Sequence, residues 1–301
     1  MVLVAGPRLR AATVLSWGVL ALMLVQAALG LAVDGLYPEA PWAVAALRGN
    51  DLVTLVLVAP ALAVALVASR RRPSPAATAV WLGLVFYGVY NFAYYAFGTA
   101  FSRVFLLHVG ALALSVWALA LLGTSIDAGA VASGVRGGRA ARVVAGFTTL
   151  VGVALLAGWG SMSLRFALTG ALPEDVMPPS AVHLVYALDM AVLAPVFVVA
   201  GVLLWRRRPW GAVLAAAVNV SGAAYLAVLE VVGGFQADAG IAGRTWASPV
   251  GIGSTLLCLA AALILLVPGD ALSRVASRPT RPRASRAGSR PSTSRASVRA
   301  R

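Results

Sequence analysis

The sequence predicts an all-α integral membrane protein, a bundle of eight transmembrane helices with a 4+4 parallel internal repeat. Three observations carry that prediction. Hydrophobic residues make up 60% of the 301 residues and charged residues 11%, where a soluble domain carries about 25% charged residues. With a mean hydropathy of +0.89, most of this surface must be solvated by lipid rather than water. Eight apolar stretches also approach or exceed the roughly 20 residues that a helix needs to cross a hydrocarbon core. Finally, arginines are dense and sparse in alternate loops.

The stretches are 11–33, 52–69, 76–98, 104–124, 143–161, 184–205, 211–232 and 251–267. Arg8 and Arg10 precede the first, whose apolar run exceeds the roughly 7–15 residues of a signal-peptide core, so a retained helix is expected. The second opens at Asp51, is interrupted by Pro60 and closes on Arg70-Arg71-Arg72-Pro73. The third carries Tyr87, Tyr90, Asn91, Tyr94 and Gly98, a spacing that lies along one helix face. His108 sits one turn into the fourth, and the fifth is glycine-rich. The sixth repeats the pattern of the second, with Asp189, Pro195 and Arg206-Arg207-Arg208-Pro209. Asn219 lies near the middle of the seventh, with Glu230 on the same face near its outer end. The eighth contains Cys258, the single cysteine, so no intrachain disulfide can form.

Orientation follows from the arginines. The N-terminus carries two, and the loops at 70–75, 125–142 and 206–210 carry three each, whereas Arg48, Arg103, Arg165 and Arg244 stand singly in the intervening segments. The positive-inside rule places the rich side, and with it both termini, in the cytoplasm of a multi-pass cell-membrane protein. Asp34, Asp51, His108, Asp189 and Glu230 then all lie towards the outer face.

Superposing the two arginine triplets pairs the second stretch with the sixth and the third with the seventh. Arg10-Ala11-Ala12-Thr13-Val14-Leu15 then matches Arg139-Ala140-Ala141-Arg142-Val143-Val144. The match needs a gap, because aspartate and proline are nine residues apart in one half and six in the other. Four helices per unit insert both halves in the same direction, the parallel-repeat arrangement of some transporters. Alanine- and valine-rich helices that align by composition are the competing explanation. The expected organisation is a first membrane half at 1–124, a second at 125–272 and a basic tail at 273–301. The tail has nine arginines and no apolar periodicity, so it reads as a disordered cytoplasmic segment. It is a candidate contact for anionic lipid headgroups, but it has no aromatic residue to stack on nucleic-acid bases, so no nucleic-acid partner is expected.

Several chemistries find no residues to carry them. There is no lysine for a retinal Schiff base or a P-loop, no HExxH and no CxxC. Neither a metal nor a cofactor is expected, and His108 and His183, the only histidines, lack a second signal for haem ligation. An ionisable group inside a span costs several kcal/mol unless it is paired or faces water, which makes it a functional candidate. On that basis Asp189 and Glu230 lead the candidate ligand-binding residues, followed by Asn91, Tyr90, Tyr94, Asp51, His108 and Asn219. For the acids, the alternative is contact with outer water or a neighbouring arginine; for His108, an interhelical hydrogen bond.

The block Tyr90-Asn91-Phe92-Ala93-Tyr94-Tyr95-Ala96-Phe97-Gly98 resembles a motif of a group of uncharacterised bacterial multi-pass membrane proteins common in actinobacteria. Asp189…Pro195…Trp205-Arg206-Arg207-Arg208-Pro209-Trp210-Gly211 is similar to the same group. The resemblance covers most of the chain except the tail and implies no activity. Three functions remain open: a transporter-like or small-ligand-binding bundle with an outward-facing polar cavity around the second, third, sixth and seventh helices; a membrane scaffold whose polar residues join helices; or an outer-leaflet enzyme acting on lipid or an envelope precursor.

Overall fold

The structure, a computed structural model, describes residues 2–135, 137–171 and 179–267, with side chains from His183 onward in the last segment. The basic tail at 273–301 lies outside the described residues. Among them, eight helices are long and apolar enough to cross a membrane: α1 Pro7–Ala32, α2 Pro41–Arg71, α3 Pro75–Gly98, α4 Phe105–Gly123, α5 Gly138–Thr169, α6 His183–Trp205, α7 Pro209–Asp238 and α8 Pro249–Leu266. A short helix, Ala128–Gly134, joins α4 to α5 and is capped by the Asp127 carboxylate accepting from Ala130 N at 3.0 Å. The segment ahead of α1 lies along the α4 end, with Val4 N donating to Ser125 O at 2.8 Å and Asp127 N to Val2 O at 3.0 Å.

Five of these helices begin on a proline: Pro7, Pro41, Pro75, Pro209 and Pro249. The first turn of a helix has N–H groups without partners, so proline loses nothing there, and its fixed φ already suits the helix. Ser74 and Ser248 complete two of these starts as N-caps. Pro41 corrects the sequence expectation most. The second span begins there and not at 52, so Asp51 lies about 15 Å along a continuous helix at 1.5 Å per residue instead of at its outer end. The fifth span likewise runs on to Thr169, about 48 Å in all, well beyond a hydrocarbon core of about 30 Å.

Pro60 and Pro195 are internal, and both helices accommodate them in the same way. A proline ring clashes with the carbonyl four residues back. In α2 the turn before Pro60 widens into a π-turn, Thr54–Val58, in which Ala59 N reaches back to Thr54 O. In α6 the turn Asp189–Leu193 precedes Pro195, with Ala194 N reaching Asp189 O. Such turns occur mostly as single insertions and often at functional sites.

The packing of one half is matched in the other. α1 contacts α2 and α4, α2 contacts α3, and α3 contacts α4; correspondingly α5 contacts α6 and α8, α6 contacts α7, and α7 contacts α8. Between the halves α3 lies against α7, while α2 touches α7 and α6 touches α3. α3 and α7 are therefore the centre: 78% and 67% of their apolar windows are buried, against 22% for both α5 and α8. Their close approach depends on Gly83, where a Cβ would collide with the backbone carbonyl of Ala217. Trp81, Leu82, Val85, Val213 and Ala217 fill the space beside it.

Candidate functional site

The polar residues that the sequence scatters along α2 and α3 separate into two buried networks because neighbours on a helix point about 100° apart. Asn50 and Asp51 diverge in this way, as do Tyr94 and Tyr95.

Asp51 and Tyr95 face α1. The Asp51 carboxylate accepts hydrogen bonds from Gln26 Nε2 at 2.6 Å, Tyr37 Oη at 2.6 Å and Tyr95 Oη at 2.8 Å. Asp51, Gln26 and Tyr95 are wholly inaccessible. Among the described residues no arginine lies within ion-pair distance of this carboxylate; Arg48 is 3.2 Å from Asp34 instead. Gly30 on α1 makes the site possible, since a Cβ there would occupy the positions of the Asp51 carboxylate and the Tyr37 hydroxyl. Tyr37 comes from the connection between α1 and α2. Burial, then the adjacent Asp51 carboxylate, push its phenol upward, so it stays protonated and donates. His108 packs its ring 4.9 Å from that of Tyr95. It is fully buried, and neither ring nitrogen has a hydrogen-bond partner.

Asn50 and the stripe on α3 face the other way. Asn50 Oδ1 accepts from Thr54 Oγ1 at 3.2 Å and Tyr87 Oη at 3.3 Å, and its Nδ2 donates to Asn91 Oδ1 at 2.7 Å. This order of donation leaves Asn91 Nδ2 as a buried donor without a partner. Asn91 also lines a cavity of about 100 Å³ whose other polar lining is Asn50, Tyr87, Tyr90, Tyr94 and Tyr225. Apolar walls come from α2, α6 and α7, including Ala46, Val185 and Val228. Among the described residues no lining side chain is charged.

Asp189 stands directly behind this lining. Its Oδ1 accepts from Tyr90 Oη at 2.6 Å and its Oδ2 from Trp159 Nε1 at 2.8 Å. Tyr225 meets Tyr90 edge-on at 5.1 Å, and Tyr186 stacks on Trp159 at 4.2 Å. The carboxylate thus clamps α6 to α3 and α5 at the π-turn that it opens.

Of the eight residues singled out in the sequence, Tyr90, Asn91 and Tyr94 line the cavity, Asp189 stands behind it through Tyr90, and Asp51 belongs to the network that faces α1. The other three lie elsewhere. Glu230 Oε2 accepts from Ser248 N at 3.2 Å, placing the carboxylate at the start of α8 where helix N–H groups favour negative charge. Asn219 joins α7 to α5, donating to Thr148 Oγ1 at 2.9 Å and to Ala215 O at 2.8 Å. His108 lies beyond Tyr95. The common face of Asn219 and Glu230 is therefore turned away from the tyrosine-lined cavity: α7 is enclosed on several sides, and this one meets α5 and α8.

Asn50, Tyr225, Tyr37 and Trp159 escaped the sequence reading. Asn50 and Tyr225 lie on the stripe-facing sides of α2 and α7, but one residue's periodicity carries no signal. Tyr37 and Trp159 look like ordinary interfacial aromatics until the chain folds. Among the described residues no three of His, Cys, Asp and Glu converge as a metal site would require. No protein-family model, curated protein or solved structure matches this chain, so its function must be argued from this geometry.

Proposed function

We propose that this polytopic membrane protein binds a small, neutral, oxygen-bearing polar molecule between its two halves, in the manner of a transporter. The observation that carries the reading is the unpartnered, buried Asn91 Nδ2 on a residue that lines a tyrosine-rich cavity. A buried donor without an acceptor costs about 1–3 kcal/mol, and a ligand carbonyl or hydroxyl oxygen would recover it. The uncharged lining favours a neutral ligand, because an ion would lose its hydration without gaining a counter-charge. At roughly 30 Å³ per water molecule, the cavity's 100 Å³ suits a solute of a few heavy atoms. The matched packing of the two halves supports a parallel repeat, and the two π-turns beside the cavity are where α2 and α6 could reshape. The arginine-rich end is read as cytoplasmic and the cavity as lying towards the outside.

The scaffold reading has its own support in the interhelical bonds Trp81 Nε1 to Ser16 Oγ at 2.9 Å and Asn219 to Thr148, which simply join helices. One experiment separates the two. The purified full chain in nanodiscs is unfolded thermally with acetamide, urea, glycerol or tetramethylammonium present, alongside Asn91→Leu. At a hundredfold excess over Kd a bound ligand contributes about 2.7 kcal/mol of stability. A neutral solute should raise the wild-type transition and leave Asn91→Leu unmoved. If no solute acts, or only tetramethylammonium does, the cavity reading is wrong.

A further inference from the structure

The arginine-bearing end of the bundle holds a second kind of site. A groove of about 520 Å³ runs between the start of α1 and the end of α2. Its walls are apolar, formed by Leu9, Val14, Trp17 and Trp81, and Arg10 and Arg70 stand at its mouth. Ser69 also lines it, 4% exposed, and its Oγ has no hydrogen-bond partner among the described residues. Among the described residues neither Arg10 nor Arg70 has a carboxylate within ion-pair distance. Asp127, beside the N-terminal segment, is occupied in capping Ala130 N.

We propose that this groove binds one anionic phospholipid, with the phosphate between Arg10 and Arg70, a headgroup or ester oxygen on Ser69 Oγ, and an acyl chain along Trp17 and Val14. Charge complementarity selects the occupant. Two guanidiniums with no ion-pair partner among the described residues line an apolar trough at the end of a membrane span, and an anionic lipid presents that combination of anion and hydrocarbon. From Arg10 to Trp17 the groove follows about 10 Å of helix, enough to hold the first part of an acyl chain. The second half has a corresponding groove of about 530 Å³ between α5 and α6, lined by Val153, Val202, Trp205 and Arg206. It has a single arginine at its mouth, so it should hold the same lipid more weakly.

The test is titration of the full chain in neutral detergent with phosphatidylglycerol, phosphatidylcholine or glycerol phosphate, with bound lipid counted by native mass spectrometry. Phosphatidylglycerol should bind and phosphatidylcholine should not. Each of R10Q and R70Q should weaken binding about fivefold, the equivalent of the ~1 kcal/mol that one basic side chain contributes near an anionic surface. The pair should weaken it about 25-fold. R8Q/R71Q removes the same charge just outside the groove and should leave binding unchanged. Ser69→Ala removes only the hydroxyl and should weaken binding several-fold, which preserves the test if the double arginine variant fails to fold. Equal losses in R10Q/R70Q and R8Q/R71Q would reduce the site to diffuse charge and overturn the proposal. So would equal binding of phosphatidylcholine, or full competition by glycerol phosphate, which would mark a free-anion site.

Discussion

Replacing Asp51 with leucine should damage this fold more than the same change at Asp189, and the difference can be worked from the donors left behind. Asp51→Leu takes the carboxylate acceptor from three buried donors, Gln26 Nε2, Tyr37 Oη and Tyr95 Oη, of which Gln26 Nε2 keeps a bond to Tyr37 Oη at 3.0 Å and Tyr95 Oη one to Leu47 O at 3.3 Å. At about 1–3 kcal/mol for each bond lost, the ceiling is about 3–9 kcal/mol, reduced by those remaining contacts and by whatever is gained in no longer burying a carboxylate. Asp189→Leu abandons two, Tyr90 Oη and Trp159 Nε1, for about 2–6 kcal/mol. The asymmetry of buried polar groups supplies an internal control. Adding Gln26→Leu, Tyr37→Phe and Tyr95→Phe to Asp51→Leu removes the stranded donors and should restore most of the stability. Equilibrium unfolding in mixed micelles, followed by tryptophan fluorescence, measures all of these variants. If Asp51→Leu costs under about 1 kcal/mol, or if removing the donors deepens the loss, Asp51 does not organise this network.

Other consequences are simpler. Gly30→Ala should push Asp51 and Tyr37 apart and cost about 1–3 kcal/mol, as overpacking does, in the same unfolding assay. Ser248→Ala and Glu230→Ala should each cost about 0.5–2 kcal/mol through the α8 start while leaving solute binding unchanged; lost binding with intact stability would return Glu230 to the cavity. Thr148→Val and Asn219→Leu should show a coupling of about 0.6–2 kcal/mol in a double-mutant cycle, as interhelical bonds in membranes do. A cysteine placed at Asp34 or Ala239 should react with a membrane-impermeant thiol reagent applied to intact cells, and one at Arg72 or Arg207 should not. Cys258 is buried and contributes little background. The reverse pattern would invert the orientation.

Much of the bundle was legible because span length and composition are properties of contiguous residues. Tyr90, Asn91 and Tyr94 were legible for a related reason. They share one helix face, and the 3.6-residue period reports a face directly. Asp51 was misplaced because hydropathy begins the span where the apolar run begins. Leu47 and Val53 are core residues, yet Arg48, Asn50 and Asp51 between them lower any window average. Pro41 was the local sign of the true start. Glu230 and Asn219 also share a face, but the period cannot tell whether that face meets a cavity, another helix or a capped terminus.

The sequence by itself determined the lipid solvent, the eight crossings and the polar stripe on α3. These follow from composition and periodicity, which need no partner. The tertiary structure alone decided which polar groups meet. Asn50 reached Asn91, Tyr37 reached Asp51, and Trp159 reached Asp189 across 41, 14 and 30 residues of chain. It also decided which donor is left over. A hydrogen bond needs its two atoms within about 3 Å, and which helices bring them so close depends on packing, on glycines such as Gly83 and Gly30, and on where each π-turn shifts the register.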